Sequence, residues 1–296
     1  MSDAGTQART GAGKDQGPDV HPPKKIAEAT TRKGEQKAGM GTPVLVVLAA
    51  LAGVYIAFGG LFFLLAQAGA DAMPYGAAQV LGGLVFSLGL ILVLVGGAEL
   101  FTGNTLMVVA WAEGRAGFAP VLHALGIAYV LNFLGSVAVA LLAFWAGVHM
   151  AGDGAVGAAA LRTAERKSSL GFGPALASGV AANMLVCLAV WLAFGARSAA
   201  DKVLVIVPPI TAFVALGLEH SVANMSLIPF SWLVKAGAAP EFWAAAGTEP
   251  GAYPALGFGG LVANLVPVTI GNVIGGVLVG AAYWFAYLRP KQAAGG

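Results

Sequence analysis

Beyond residue 42 the chain alternates between apolar runs and short polar connections. Six runs are apparent, at about 43–66, 77–112, 120–148, 171–195, 201–235 and 257–288. Each has at least the ~20 residues that a helix needs to cross the hydrocarbon core of a bilayer. The second and fifth are too long for one straight crossing, and each contains a polar interruption. In the second it is Gly97 to Asn104 (Gly-Ala-Glu-Leu-Phe-Thr-Gly-Asn), and in the fifth Gly217 to Asn224 (Gly-Leu-Glu-His-Ser-Val-Ala-Asn). Placed one above the other, Gly97 matches Gly217, Glu99 matches Glu219 and Asn104 matches Asn224. The pattern predicts that both helices break at membrane depth. Irregular backbone is tolerated there only where protein buries it or it lines a wet cavity.

The interruptions are 120 residues apart and separated by three crossings, so they are expected to run in opposite directions. A second echo supports this: Asn132-Phe-Leu-Gly-Ser in the third run matches Asn272-Val-Ile-Gly-Gly in the sixth. The expected fold is an all-α membrane protein of six transmembrane helices in two inverted three-helix repeats. Its second and fifth helices are broken and share a site near the midplane. Residues 1–21 are Gly, charged and polar without an apolar period, which predicts a disordered tail. The Lys/Glu/Ala-rich stretch 22–42 allows a short surface helix, 43–288 forms the pore domain, and 289–296 is a second tail.

Composition fits the membrane reading: 58% of residues are hydrophobic and 10% charged, against roughly 25% charged in average soluble chains. The 43 glycines point to close helix packing. A formal charge of +2 and the lack of basic runs interleaved with aromatics argue against a nucleic-acid partner. A single cysteine, Cys187, excludes an intrachain disulfide. Twelve of the sixteen Lys and Arg residues fall on one side of the expected topology, which places both termini in the cytoplasm. The other four are Arg162, Arg166, Lys167 and Lys235. Trp284, Tyr283 and Tyr287 at the last helix end suit an interfacial belt.

Half-helix ends at mid-membrane present unpaired N–H groups with partial positive charge, which can hold an anion. Thr102 adds a hydroxyl at one break and His220 an imidazole at the other, while Lys167 stands just before the fourth run. An unpaired anion in an apolar constriction costs several kcal/mol or more, and the neutral acid far less. These residues therefore suit a small monovalent weak-acid anion that is protonated at or near His220, since histidine titrates near physiological pH. Plainer readings stand beside this one. His220 can simply bond a neighbouring helix, Thr102 its own backbone, and Lys167 can be an ordinary loop lysine. Glu99 and Glu219 are expected to be structural, capping the following half-helix. Asn183, Asn224 and Asn272 are expected to join helices and loops.

Four motifs resemble the signatures of the formate/nitrite transporter family. They are Glu-Leu-Phe-Thr-Gly-Asn (99–104), Ala-Asn-Met-Leu-Val-Cys-Leu-Ala-Val-Trp (182–191), Glu-His-Ser-Val-Ala-Asn-Met (219–225) and Asn-Leu-Val-Pro-Val-Thr-Ile-Gly-Asn-Val-Ile-Gly-Gly (264–276). They occur in the family's order, and the similarity spans about residues 22–290. The resemblance implies an aquaporin-like, six-helix protomer with its own pore, assembled as a homopentamer in the bacterial inner membrane. It implies that Thr102 bonds His220 and that Lys167 draws the anion inward. Asn183, Asn224 and Asn272 would support the broken helices and the central chamber. Apolar constrictions would form at Phe86, Leu90, Leu100, Val186 and Phe213. Formate is the implied substrate, with nitrite or hydrosulfide as the alternatives within the family. The N-terminal helix gates some members, but here it is strongly charged and preceded by an extra polar tail.

Two other classes remain. A membrane anchor of a redox complex would need haem or metal ligands. The histidines, His21, His123, His149 and His220, include no i, i+4 pair and join no Cys/His cluster, so no cofactor or metal is expected. A pore for a cation would place carboxylates in its lumen and no lysine at its mouth.

Overall fold

The computed structural model describes residues 20–289, and the regular elements among them are all helical. Residues 1–19 and 290–296, which hold most of the two expected tails, lie outside the described residues. His21 was expected to belong to the disordered tail. Its N–H instead donates to the Gly195 carbonyl (3.0 Å), so order begins before residue 22.

In chain order the helices are α1 (Pro23–Ala38), α2 (Thr42–Gln67), α3 (Tyr75–Gly96), α4 (Phe101–Asn104), α5 (Val108–Ala112) and α6 (Phe118–Trp145). They continue with α7 (Ala155–Ser168), α8 (Phe172–Gly195), α9 (Ala199–Ala215), α10 (Ser221–Gly237), α11 (Pro240–Ala246) and α12 (Phe258–Tyr287). Five of them, α2, α3, α6, α8 and α12, are long and apolar enough to cross a membrane. The fifth apolar run forms two shorter helices of 17 residues each, α9 and α10. The second run ends its long helix at Gly96 and resumes at Phe101.

Both interruptions start in the same way. Gly97 (φ 84°) and Gly217 (φ 67°) take the left-handed conformation that ends a helix and that L side chains rarely adopt. Each preceding helix therefore stops where the sequence supplies a glycine, whatever the hydrophobicity around it.

Stretch 22–42 does form a helix, but not a free surface one. Ile26, Ala27, Thr30, Thr31 and Gly34 of α1 are buried, and α1 packs against α5, α8, α6 and α12. The expected connection between the third and fourth runs contains another helix, α7, with ten buried residues. Its buried face is mainly small residues, among them Gly157, Ala158, Ala159, Ala160 and Ala164, too weakly hydrophobic to stand out as a run.

The order of elements repeats: α1 corresponds to α7, α2 to α8, α3 to α9, the α4–α5 segment to α10, and α6 to α12. Within each half the second and last members pack closely, α2 on α6 and α8 on α12. A Cβ on Gly135 would collide with the Ala50 carbonyl, and one on Gly275 with the Val180 carbonyl. Backbone cannot yield as a flexible side chain can. Gly275→Ala is expected to lower stability by about 1–3 kcal/mol, read as a lower melting temperature in detergent. A wild-type melting temperature would mean that the helices separate freely.

Candidate functional site

Where the two interruptions meet, the Thr102 hydroxyl and the His220 Nε2 lie 2.8 Å apart. Both side chains are buried, at 0% and 2% exposure. His220 is the N-cap of α10, and its Nδ1 accepts the Ala223 N–H (3.2 Å). An accepting Nδ1 carries no proton, so the ring's proton sits on Nε2 and is donated to the Thr102 oxygen. Thr102 then keeps its own hydroxyl proton to offer elsewhere.

Two asparagines hold the interruptions from behind. Asn272 Oδ1 accepts the Ser221 N–H (2.8 Å), while its Nδ2 donates to the carbonyls of Gly179 (2.8 Å) and Glu219 (3.1 Å). Asn132 repeats the pattern. Its Oδ1 accepts the Phe101 N–H (2.9 Å), and its Nδ2 donates to the carbonyls of Ala49 (2.7 Å) and Glu99 (3.0 Å). Unfilled backbone groups at helix ends need such partners, because no water is available in an apolar interior.

The glutamates do not cap the following helices as expected. Glu219 pairs with the ammonium of Lys167 (2.8 Å) and accepts from Asn224 (2.6 Å) and Asn264 (3.1 Å). Glu99 pairs with Lys37 (2.7 Å) and accepts from Asn104 (2.9 Å). The capping falls to Asn132, Asn272 and His220, while each carboxylate neutralises a lysine and so does not face an anion as a bare negative charge.

Two cavities adjoin the interruptions, and the one on the α7 side touches His220. On the α1 side a cavity of about 220 Å³ is lined by Lys37, Glu99, Asn104, Leu90 and Leu100, among others. On the α7 side a pocket of about 30 Å³ is lined by Lys167, Phe86, Phe213, Asn224 and His220. Phe86 and Phe213 meet edge to face at 5.6 Å, and Phe213 lies 5.8 Å from the imidazole. Asn183 donates to the Thr102 carbonyl (3.2 Å) and the Thr105 hydroxyl (3.3 Å), tying α8 to the first interruption. Its side-chain oxygen and the Ser221 hydroxyl have no hydrogen-bond partner among the described residues. Val186 is buried in the main core but lines neither of these cavities.

The sequence profile of the formate/nitrite transporter family matches residues 24–285. The chain belongs to this family. It is 41% identical over 272 residues to the formate channel FocA of Escherichia coli K12, covering 91% of this chain and 95% of the relative. It is 35% identical to the formate channel BtFdhC of Bacillus thuringiensis, over 92% of this chain and 98% of that one. A solved structure described as a pentameric formate channel with formate bound superposes with a TM-score of 0.76 at 38% identity. That match covers 83% of this chain and 97% of the other. The transporter is thus a multi-pass membrane protein.

Sequence reasoning placed Thr102, His220, Lys167, Asn183, Asn224 and Asn272 near one another, and the fold brings all six to the interruptions. It missed Lys37, Asn132 as a clamp, and Asn264, whose Nδ2 also donates to the Lys167 carbonyl (2.9 Å). A signal for Lys37 was present. Arg32, Glu35, Lys37 and Gly41 recur at a spacing of 130 residues as Arg162, Glu165, Lys167 and Gly171. That echo also marks α1 and α7 as counterparts.

Proposed function

We propose that the transporter carries formate across the bacterial inner membrane through a pore in each protomer of a homopentamer. In this reading α3 with α4–α5 makes the second of six crossings, and α9 with α10 makes the fifth. The halves are inverted relative to each other, as in aquaporins. The α1 side faces the cytoplasm, in keeping with the Lys and Arg bias, and both termini lie there. FocA from E. coli is named as a formate channel, and the structural neighbour holds formate in a pentamer.

The observation that carries the proposal is the Thr102–His220 bond where the two interruptions meet, with a half-buried lysine paired at one interruption and a buried lysine at the other. Lys37 and Lys167 draw the anion to apolar constrictions, Leu90 with Leu100 on one side and Phe86 with Phe213 on the other. Between them, the hydroxyl of Thr102 and the Nε2–H of His220 are the hydrogen-bond donors available to it. The proton it takes up there enters with it from the aqueous side, since a hydroxyl and a neutral imidazole hold none acidic enough to give. A ring charged at Nδ1 would set a donor against the Ala223 N–H. The capped ring therefore serves as a neutral donor, and taking up a proton means releasing that cap. Asn183, Asn224 and Asn272 hold the chamber's walls.

Uptake of labelled formate into proteoliposomes tests this. Uptake should exceed that of protein-free vesicles and rise as external pH falls, because protonation accompanies passage. His220→Ala should slow it roughly tenfold, a loss of about 1.4 kcal/mol in barrier terms. Absence of formate uptake by the wild-type protein, with nitrite or hydrosulfide carried instead, would reassign the substrate. Uptake indifferent to His220→Ala would remove the proposed chemistry.

A further inference from the structure

Outside the Lys167 pocket lies a larger cavity of about 490 Å³, between α7 and the connection from α2 to α3. Arg162 and Arg166, one helical turn apart on α7, both line it, opposite Asp71, Gln67, Tyr75 and Gln79. Gln79 and Arg166 also line the Lys167 pocket, so the two spaces adjoin at that pair. Gln79 is held in place by its Nε2, which donates to the Gln67 side-chain Oε1 (3.4 Å).

The charges here do not cancel. Glu165, the nearest carboxylate in sequence, is occupied by the backbone N–H groups of Ala255 and Leu256, both at 3.0 Å. Glu219 is taken by Lys167. Arg162 lies 3.9 Å from the Asp71 carboxylate, but Asp71 is 94% exposed and the contact is loose. Among the described residues Arg166 has no ion pair and no side-chain hydrogen bond. A cavity with a net positive lining raises the local concentration of anions, and a guanidinium matches a planar carboxylate or oxyanion through two parallel N–H donors.

Building on the transport reading above, we propose that Arg162 and Arg166 form an outer anion-binding site that captures small planar carboxylates and oxyanions and hands them to Lys167. Arg166 spans both spaces and makes the transfer, with Gln79 as the opposite wall. Asp71 is a tethered competitor: its carboxylate sits on Arg162 until a soluble anion replaces it. The pair of arginines has no equivalent on the α1 side, where the matching positions are Arg32 and Gln36.

The test is the initial rate of labelled formate uptake into proteoliposomes, as a function of formate concentration. At low ionic strength Arg166→Gln should raise the half-saturating concentration roughly three- to tenfold, with the maximal rate within about twofold. Arg166→Lys should restore only part of this, since it returns the charge without the fork. Asp71→Asn should act in the opposite direction. High salt should shrink all these differences, because screening at an exposed mouth is strong. Wild-type half-saturation in the Arg162→Gln/Arg166→Gln double variant would overturn the site while leaving formate transport intact. If the wild-type protein carries no formate, the transport reading fails separately. Saturation-transfer NMR with sodium formate then decides the mouth: a signal reduced in the double variant supports the site, and an equal signal overturns it.

Discussion

Lys167→Met is expected to cut formate flux at least tenfold and to cost about 3–5 kcal/mol of stability. The lysine and its partner are both deeply buried, with side-chain exposures of 9% and 3%. Removing only the lysine leaves the Glu219 carboxylate in an apolar interior with two asparagine amides and no counter-charge. Breaking one side of such a pair is far more damaging than removing both. Lys167→Met/Glu219→Gln should therefore recover most of the lost stability, because a neutral amide can still accept from Asn224 and Asn264. It should not recover flux, since the cation that draws the anion inward is absent. Thermal unfolding in detergent and uptake by proteoliposomes read the two effects separately. A single variant as stable as wild type, or a double variant with restored flux, would contradict this account. Lys37→Met should follow the same pattern with a smaller stability loss, because the Lys37 side chain is 22% exposed and partly solvated.

The same buried pair shows why the sequence was informative in some places and silent in others. A glutamate next to a histidine inside an apolar run conflicts with its surroundings, so Glu219 and His220 announce themselves. Lys37 does not: it lies among Lys, Arg and Glu residues, where a solvated lysine is the ordinary expectation. What removes it from solvent is the docking of α1, whose buried face is Ile26, Ala27, Thr30 and Gly34 rather than a hydrophobic stripe. Small side chains let helices approach closely without any strong apolar signal, and α7 escaped notice for the same reason. Asn132 was visible as an echo of Asn272, but its role depends on which backbone groups the interruption leaves unpaired. That is a property of three elements meeting, and no local pattern carries it. The assignment of capping to Glu99 and Glu219 erred in the same way. A carboxylate near a helix start is a plausible cap until a lysine from another helix claims it.

Comparison of the halves also locates the chemistry. Lysine, glutamate, asparagine and clamp recur on both sides: Lys37, Glu99, Asn104 and Asn132 against Lys167, Glu219, Asn224 and Asn272. The correspondence fails where an anion would be protonated, since His220 aligns with Leu100 and Thr102 with Val222. Scaffold and attraction are duplicated; the donor pair is assembled from one residue of each half.

Asn272→Leu should cost several kcal/mol, and Asn132→Leu a similar amount. Each substitution orphans two backbone groups and removes a second hydrogen bond from a carbonyl inside a helix. For Asn272 the orphans are the Ser221 N–H and the Glu219 carbonyl, while the Gly179 carbonyl keeps its partner within α8. A buried backbone group without a partner costs about 1–3 kcal/mol, and leucine fills the space without replacing any bond. Asn272→Asp separates volume from bonding. Its carboxylate can still accept from Ser221, but it faces the two carbonyls with no donor, so it should be as damaging as leucine. Flux should fall together with stability, because the N–H of Ser221 begins α10, and α10 fixes the ring of His220 through its cap. Melting temperatures of the four variants Asn132→Leu, Asn132→Asp, Asn272→Leu and Asn272→Asp check this. If Asn272→Leu lost less than about 1 kcal/mol, the freed groups would have found water, and the interruption would be a wet channel wall rather than a clamped support. The two halves should respond alike, since the clamp geometry is the same on both sides while the residues it positions are not.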